Sequence, residues 1–279
     1  MKIPTLVATA GAGFALVFLS ACSSADGNST TNQSGAAVSA AITPAEAIAV
    51  SLQRSIDTKT AQMDLTAAID GSSFIGAQTV TGNGAVDFEG QRAQAHLDLL
   101  GVGIDGIVDG STIYAKSTIL GSASWYRASA PAESPRGGEG LTTIWAKLFD
   151  PTQLFATIKD ASSSMTEAGH ESVRGADTIH YTGSIAVPQG TTAGAKTTSV
   201  PVDVWVDGQG LVARIQTSLS GMGADGGVSD LLSGKVTIEF HDYGKGVSIV
   251  PPPADQAKDA SEALSILGGG KDPGRTRTP

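Results

Sequence analysis

Cysteine is almost absent from this chain: Cys22 is the only one in 279 residues. That count excludes a disulfide framework and a thiolate zinc site. Positive charge is also scarce, with 18 Lys and Arg against 27 Asp and Glu and a formal net charge of −9. Nucleic-acid recognition needs a basic patch, so no nucleic-acid partner is expected. Aromatic residues make up only 5%, so a core must be built mainly from aliphatic side chains. Neither HExxH nor GxSxG occurs, which removes the zinc-protease helix and the commonest esterase elbow. No pair of carboxylates stands out, because Asp64, Asp70, Asp98 and Asp203 all fall on polar positions of alternating runs. The sequence thus points away from an enzyme, and no cofactor or metal is expected. His170 and His180 flank the turn Arg174-Gly175-Ala176 symmetrically and are placed to face each other across a hairpin. They read either as solvated surface groups or as a metal pair. Gly101-Val102-Gly103-Ile104-Asp105-Gly106 matches GxGxxG, but strand-like runs lie on both sides of it where a dinucleotide site needs a following helix. It reads as a hairpin turn.

What the chain does have begins at its N-terminus. Lys2 precedes an apolar run, Ile3 to Leu19, and then Ser20-Ala21-Cys22. This is the layout of a bacterial lipoprotein leader: a positive start, a short apolar stretch and small residues before the cut. Residues 1–21 are expected to be the signal peptide, with Cys22 becoming the acylated N-terminus. Two or three acyl chains, at about 0.8 kcal/mol per buried CH₂, anchor a protein stably where one does not. The expected location is therefore the extracytoplasmic face of the cell membrane. Residues 22–41 are rich in Ser, Thr, Asn and Gly and lack an apolar period, as a disordered tether does.

Residues 42–253 read as one domain. Thr43-Pro44-Ala45-Glu46 is a capping box with proline at the first helical position. Ala45, Ile48, Ala49, Leu52 and Ile56 then mark a helical stripe. Beyond it the period changes to two. Met63 and Leu65, Ala95 and Leu97, Ile113, Ile179 and Tyr181, Val204 and Val206, and Val236 and Ile238 each alternate with polar residues. Such alternation predicts antiparallel strands packed on one side only, here eight to ten of them. A second helix is predicted after Asp150-Pro151-Thr152-Gln153, with Leu154, Phe155 and Ile158 as its apolar face and Leu148 just before it. Trp125 and Tyr126 either sit at a cavity mouth or simply pack. Residues 254–266 suggest a short helix after Pro251-Pro252-Pro253, and the remainder to 279 a disordered tail. The fold class is α+β: a single strongly curved antiparallel sheet, or half-barrel, with helices packed on its concave face and room for an apolar cavity between them.

Several segments in order carry a resemblance to a known family. They are Thr60–Thr66, Val108–Ala115 with its Asp109-Gly110 turn, Phe149–Leu154, Gly169–Gly183, Val200–Val206, and Asp242-Tyr243-Gly244 with Val247 and Ile249. Together with the lipobox, this pattern resembles the LppX/LprAFG family of actinobacterial lipoproteins, and more distantly the LolA/LolB-like fold. The resemblance implies a non-enzymatic carrier that holds lipid or glycolipid acyl chains in an apolar cavity, for transport or presentation across the envelope. An envelope transporter is a candidate partner. Met63, Leu65, Ala95, Leu97, Ile113, Leu148, Leu154, Phe155, Ile158, Val204 and Val206 are the candidate lining residues, each equally readable as ordinary core. The alternative is an interaction or sensor module on the same scaffold, with a filled core and no lipid. The chain departs from the family pattern in a short region after Asp150-Pro151 and in a Gly/Thr-rich loop at Gln189–Ser199, both of which bear on the cavity wall.

Overall fold

The computed structural model describes residues 42–70, 76–99, 101–118, 124–129, 151–188, 197–218 and 234–260. Helix α1, Pro44–Asp57, begins as the sequence predicts. The Thr43 hydroxyl accepts the Glu46 N–H at 3.3 Å, and the Thr43 N–H donates to the Glu46 carboxylate at 2.9 Å. Its buried face is centred on Ile48 and Leu52 but also takes in Ser51 and Ser55. The Ser55 hydroxyl satisfies itself by donating to the Ser51 carbonyl at 2.8 Å and accepting the Val212 N–H at 3.0 Å. Burial of Ser55 therefore leaves its hydroxyl paired both as donor and as acceptor.

Six strands follow: β1 Thr60–Ile69, β2 Gln78–Asp87, β3 Arg92–Leu99, β4 Val102–Asp109, β5 Thr112–Ser117 and β6 Trp125–Ser129. Helix α2, Pro151–Asp160, separates them from β7 Thr166–Val173, β8 Ala176–Pro188, β9 Thr197–Asp207, β10 Val212–Ser218 and β11 Gly234–His241; a last short strand, β12, spans Ala257–Asp259. The GxGxxG run is the β3–β4 hairpin: Leu99 pairs with Val102, and Gly101 takes φ 79° in the turn, a conformation glycine adopts at no steric cost. The sheet runs β12-β6-β5-β4-β3-β2-β1-β11-β10-β9-β8-β7 and does not close. All neighbours are antiparallel except β6 and β12. The twelve strands exceed the eight to ten expected. One reason is β7, which is exposed over most of its length and shows no apolar alternation.

One face of the sheet carries the main core. Ile48 and Leu52 of α1 and Phe155 and Ile158 of α2 share a buried cluster with side chains from β1 to β4 and β8 to β11. Phe155 sits between Phe88 and Phe240, with ring centres 5.5 and 5.3 Å away. Met63 reaches across to β2, where a Cβ on Gly84 would lie 2.7 Å from its methyl carbon. That position is open only because no side chain occupies it.

The other face is not left bare, contrary to the one-sided packing read from the alternation. After β11 the chain turns at Asp242-Tyr243-Gly244, and the Thr60 hydroxyl donates to the Lys245 carbonyl at 2.7 Å. Ile249 then packs against Ala85, Ile107 and Tyr114 on the outer side of β2, β4 and β5, forming a second small cluster with Ala257. Of the stretch 254–266 expected to form a short helix, residues 261–266 lie outside the described residues, and 254–259 are not α-helical. A 3-10 turn at Ala254–Gln256 leads into β12, which pairs in parallel with β6 at the sheet edge. The three prolines explain this, since their fixed φ favours extended chain and carries the segment to the unpaired edge. Among the described residues no helix is long and apolar enough to cross a membrane.

Candidate functional site

The two faces offer two different sites. On the helix side, the candidate residues divide into two groups. Met63, Leu65, Phe155, Ile158, Val204 and Val206 are buried against one another in the main cluster. Ala95 belongs to the same cluster, and Leu97 and Leu154 pack on its margin. Ile113 is buried but belongs to neither cluster. Leu148 and Cys22 lie outside the described residues, as do the leader and tether. The apolar face continues beyond the cluster: Val102 and Ile104 of β4, Ala115 of β5 and Ala128 of β6 point the same way as Leu97 and are half-buried. So β3 to β6 present an aliphatic surface that the side chains of α1 and α2 do not fill.

The opposite face is polar in a regular way. The registers place Lys116, Asp105, His96, Asn83, Asp64, Glu239, Arg214, Trp205 and His180 in one line across nine adjacent strands, β5 to β1 and then β11 to β8. Directly opposed side chains share a face and interact. Arg214 donates two hydrogen bonds to the Glu239 carboxylate, at 2.6 and 3.0 Å, and its guanidinium lies 5.2 Å from the Trp205 ring centre. The His180 ring stacks on Trp205 at 4.3 Å, with Asp203 and Glu171 at 3.0 and 3.2 Å from its two nitrogens. Arg174, in the β7–β8 turn, donates to Asp64 at 2.6 Å, and that contact raises its already high pKa further. The expected facing of His170 and His180 does not occur. His170 pairs with Ile179 and His180 with Gly169, because the hairpin turns on two residues, Arg174 and Gly175, so that Val173 pairs with Ala176 and the two imidazoles fall on opposite faces. Among the described residues no group of three or more His, Cys, Asp or Glu is arranged to hold a metal.

The β1–β6 end of this face holds an open pocket of about 280 Å³. Gln62, Asn83 and Gln94 line one part of it, His96 and Asp105 another, and Ile107 with Trp125 form its apolar wall. Trp125 thus lies on the face away from the helices, where it also packs on the second cluster. Sequence reading alone does not find this pocket, because its residues come from five strands and share no local motif.

No protein-family model matches the sequence, and comparison with curated proteins finds no match. Comparison with solved structures does. Lipoprotein LppX of Mycobacterium tuberculosis is 18% identical, aligned over 73% of this chain and 98% of its own, with a TM-score of 0.43. LprF from Mycobacterium bovis is 15% identical over 76% of this chain and 97% of its own, with a TM-score of 0.44. An uncharacterized conserved protein from Thermus thermophilus is 8% identical over 77% of this chain and 97% of its own, with a TM-score of 0.41. The chain is therefore similar to the mycobacterial lipoprotein LppX and to LprF along almost the whole length of each.

Proposed function

We propose that this protein is a lipoprotein of the LppX/LprAFG type, anchored through acylated Cys22 on the extracytoplasmic face of the membrane, that binds the acyl chains of a lipid or glycolipid. Carrying or presenting such a lipid across the envelope requires no catalytic group. The observation that carries the reading is the aliphatic surface of β3 to β6, where Leu97, Val102, Ile104 and Ala115 are only half-buried beyond the packed helices. An acyl chain laid there escapes water at about 25 cal/mol per Å² of apolar surface. We narrow the proposed contact residues accordingly. Leu97, Ile113 and their neighbours on β4 and β5 are the acyl-facing set, whereas Met63, Phe155, Ile158, Val204 and Val206 serve as the packed floor. That same packing favours a second reading, an interaction module with a filled core.

The test is organic extraction of the full chain purified from an actinobacterial host. Stoichiometric diacyl or triacyl lipid is the expected result. A chain that carries no lipid and takes up none when lipids are added contradicts the proposal and favours the module. Leu97→Trp sharpens the comparison. On a lipid-bearing surface it displaces lipid with little loss of stability, whereas overpacking a filled site costs about 1–3 kcal/mol.

A further inference from the structure

The acyl reading makes no use of the pocket on the face opposite the helices. We propose that this pocket is a carbohydrate site that takes one sugar ring of a neutral glycan. Its polar equipment fits hydroxyl groups. The amides of Gln62, Asn83 and Gln94 line it, and among the described residues none of the three side chains has a hydrogen-bond partner. An amide offers donors and an acceptor together, and a sugar hydroxyl needs both. Ile107 and Trp125 add an apolar wall for the C–H face of the ring, as small-molecule sites combine apolar lining with a few placed polar groups.

The charges argue against an anion. The Asp105 carboxylate lies 2.7 Å from His96 Nδ1 and 3.8 Å from Lys116 Nζ, and that ammonium also sits 5.5 Å from the Trp125 ring centre. His96, which lines the pocket, and Lys116 beside it are thus both engaged by the same acid. Among the lining residues no cation is left unpaired to give a phosphate or carboxylate the strong charge-assisted hydrogen bonds that favour it. The volume, about 280 Å³, suits one ring and not an extended lipid.

The ligand is also separate from any lipid on the other face. Gln94 and His96 alternate along β3 with Ala95 and Leu97, so the sheet itself lies between the pocket and the acyl-facing surface. The sugar belongs to a different molecule, and its binding stands or falls independently of acyl binding.

The experiment uses the full chain in a non-glycosidic detergent. Saturation-transfer difference NMR is recorded with methyl α-D-glucopyranoside, methyl α-D-mannopyranoside and methyl β-D-galactopyranoside as probes. Transfer to at least one glycoside is expected, unaffected by inorganic phosphate. Asn83→Ala and Gln94→Ala, which remove side chains with no internal partner, should each weaken it about tenfold at unchanged melting temperature. No transfer to any probe overturns the proposal, as does transfer that both variants leave intact. Displacement by millimolar phosphate also overturns it, since the pocket is then an anion site.

Discussion

Phe155→Ala asks whether the floor beneath the aliphatic surface is packed solid. Phe155 is 1% exposed and lies between Phe88 and Phe240, with ring centres 5.5 and 5.3 Å away. Removing a buried phenyl group from a close-packed site costs about 3–5 kcal/mol, a sum of lost transfer energy and the cavity left behind. Each aromatic pair accounts for about 0.5–1.5 kcal/mol beyond burial. For a folded region of this size, 1 kcal/mol moves the melting temperature by about 2–4 °C, so the variant should melt roughly 6–20 °C lower. Equilibrium urea unfolding of the full chain, followed by tryptophan fluorescence and far-UV circular dichroism together, measures the loss and checks two-state behaviour. A loss below about 1 kcal/mol at unchanged m-value refutes the reasoning. It means that Phe155 borders space that relaxes or was never filled, and that the ligand volume extends under α2.

Three further outcomes follow from local geometry. Lys59 follows α1 at φ 72°, where its own ion pair with Glu89 is solvent-exposed; Lys59→Gly should stabilise the fold by about 0.5–1 kcal/mol in thermal unfolding. The Tyr243 hydroxyl donates to the Val212 carbonyl at 2.7 Å, and burial pushes its pKa well up. Tyr243→Phe should cost about 1–2 kcal/mol near neutrality. Because the folded pKa lies above the unfolded one, the wild type should also lose stability as pH rises past about 10, and the variant should lack that component. Asp242 is held below the usual carboxylate range by the Lys245 ammonium first and His241 next. Its stabilisation is present above the unfolded pKa of about 3.9 and is lost as pH falls through the lower folded value. Asp242→Asn, which tolerates the φ of 53° there, should lower the neutral plateau of a melting-temperature profile slightly and flatten its acid limb, so that variant and wild type converge at low pH.

Features set by near neighbours in the chain were legible before any coordinates. The capping box at Thr43 and Glu46, the stripe through Ile48 and Leu52, the two-residue alternation through Met63 and Leu65 or Val204 and Val206, and the Gly101 hairpin each rest on contacts a few residues apart. The backbone periods of 3.6 and 2 impose those patterns directly. The candidate site was legible only as far as which side chains turn away from water. That Met63, Phe155 and Val204 meet one another while Leu97 lies at the margin depends on where α1 and α2 come down on the sheet. The histidines show how little it takes to mislead: a turn of two residues, Arg174 and Gly175, in place of three sends His170 and His180 to opposite faces. The long range was decided by tertiary structure alone. The pairing of β1 with β11 sets Asp64 beside Glu239, Ile249 closes over Ala85 and Ile107, and β12 extends the edge at β6. The polar line and the pocket beside it exist only once five to nine strands are in register, and no local pattern encodes pairings so distant in sequence. The physical reason is that side-chain direction is a local consequence of backbone geometry. Which strands become neighbours is chosen by the burial and hydrogen bonding of the whole sheet at once.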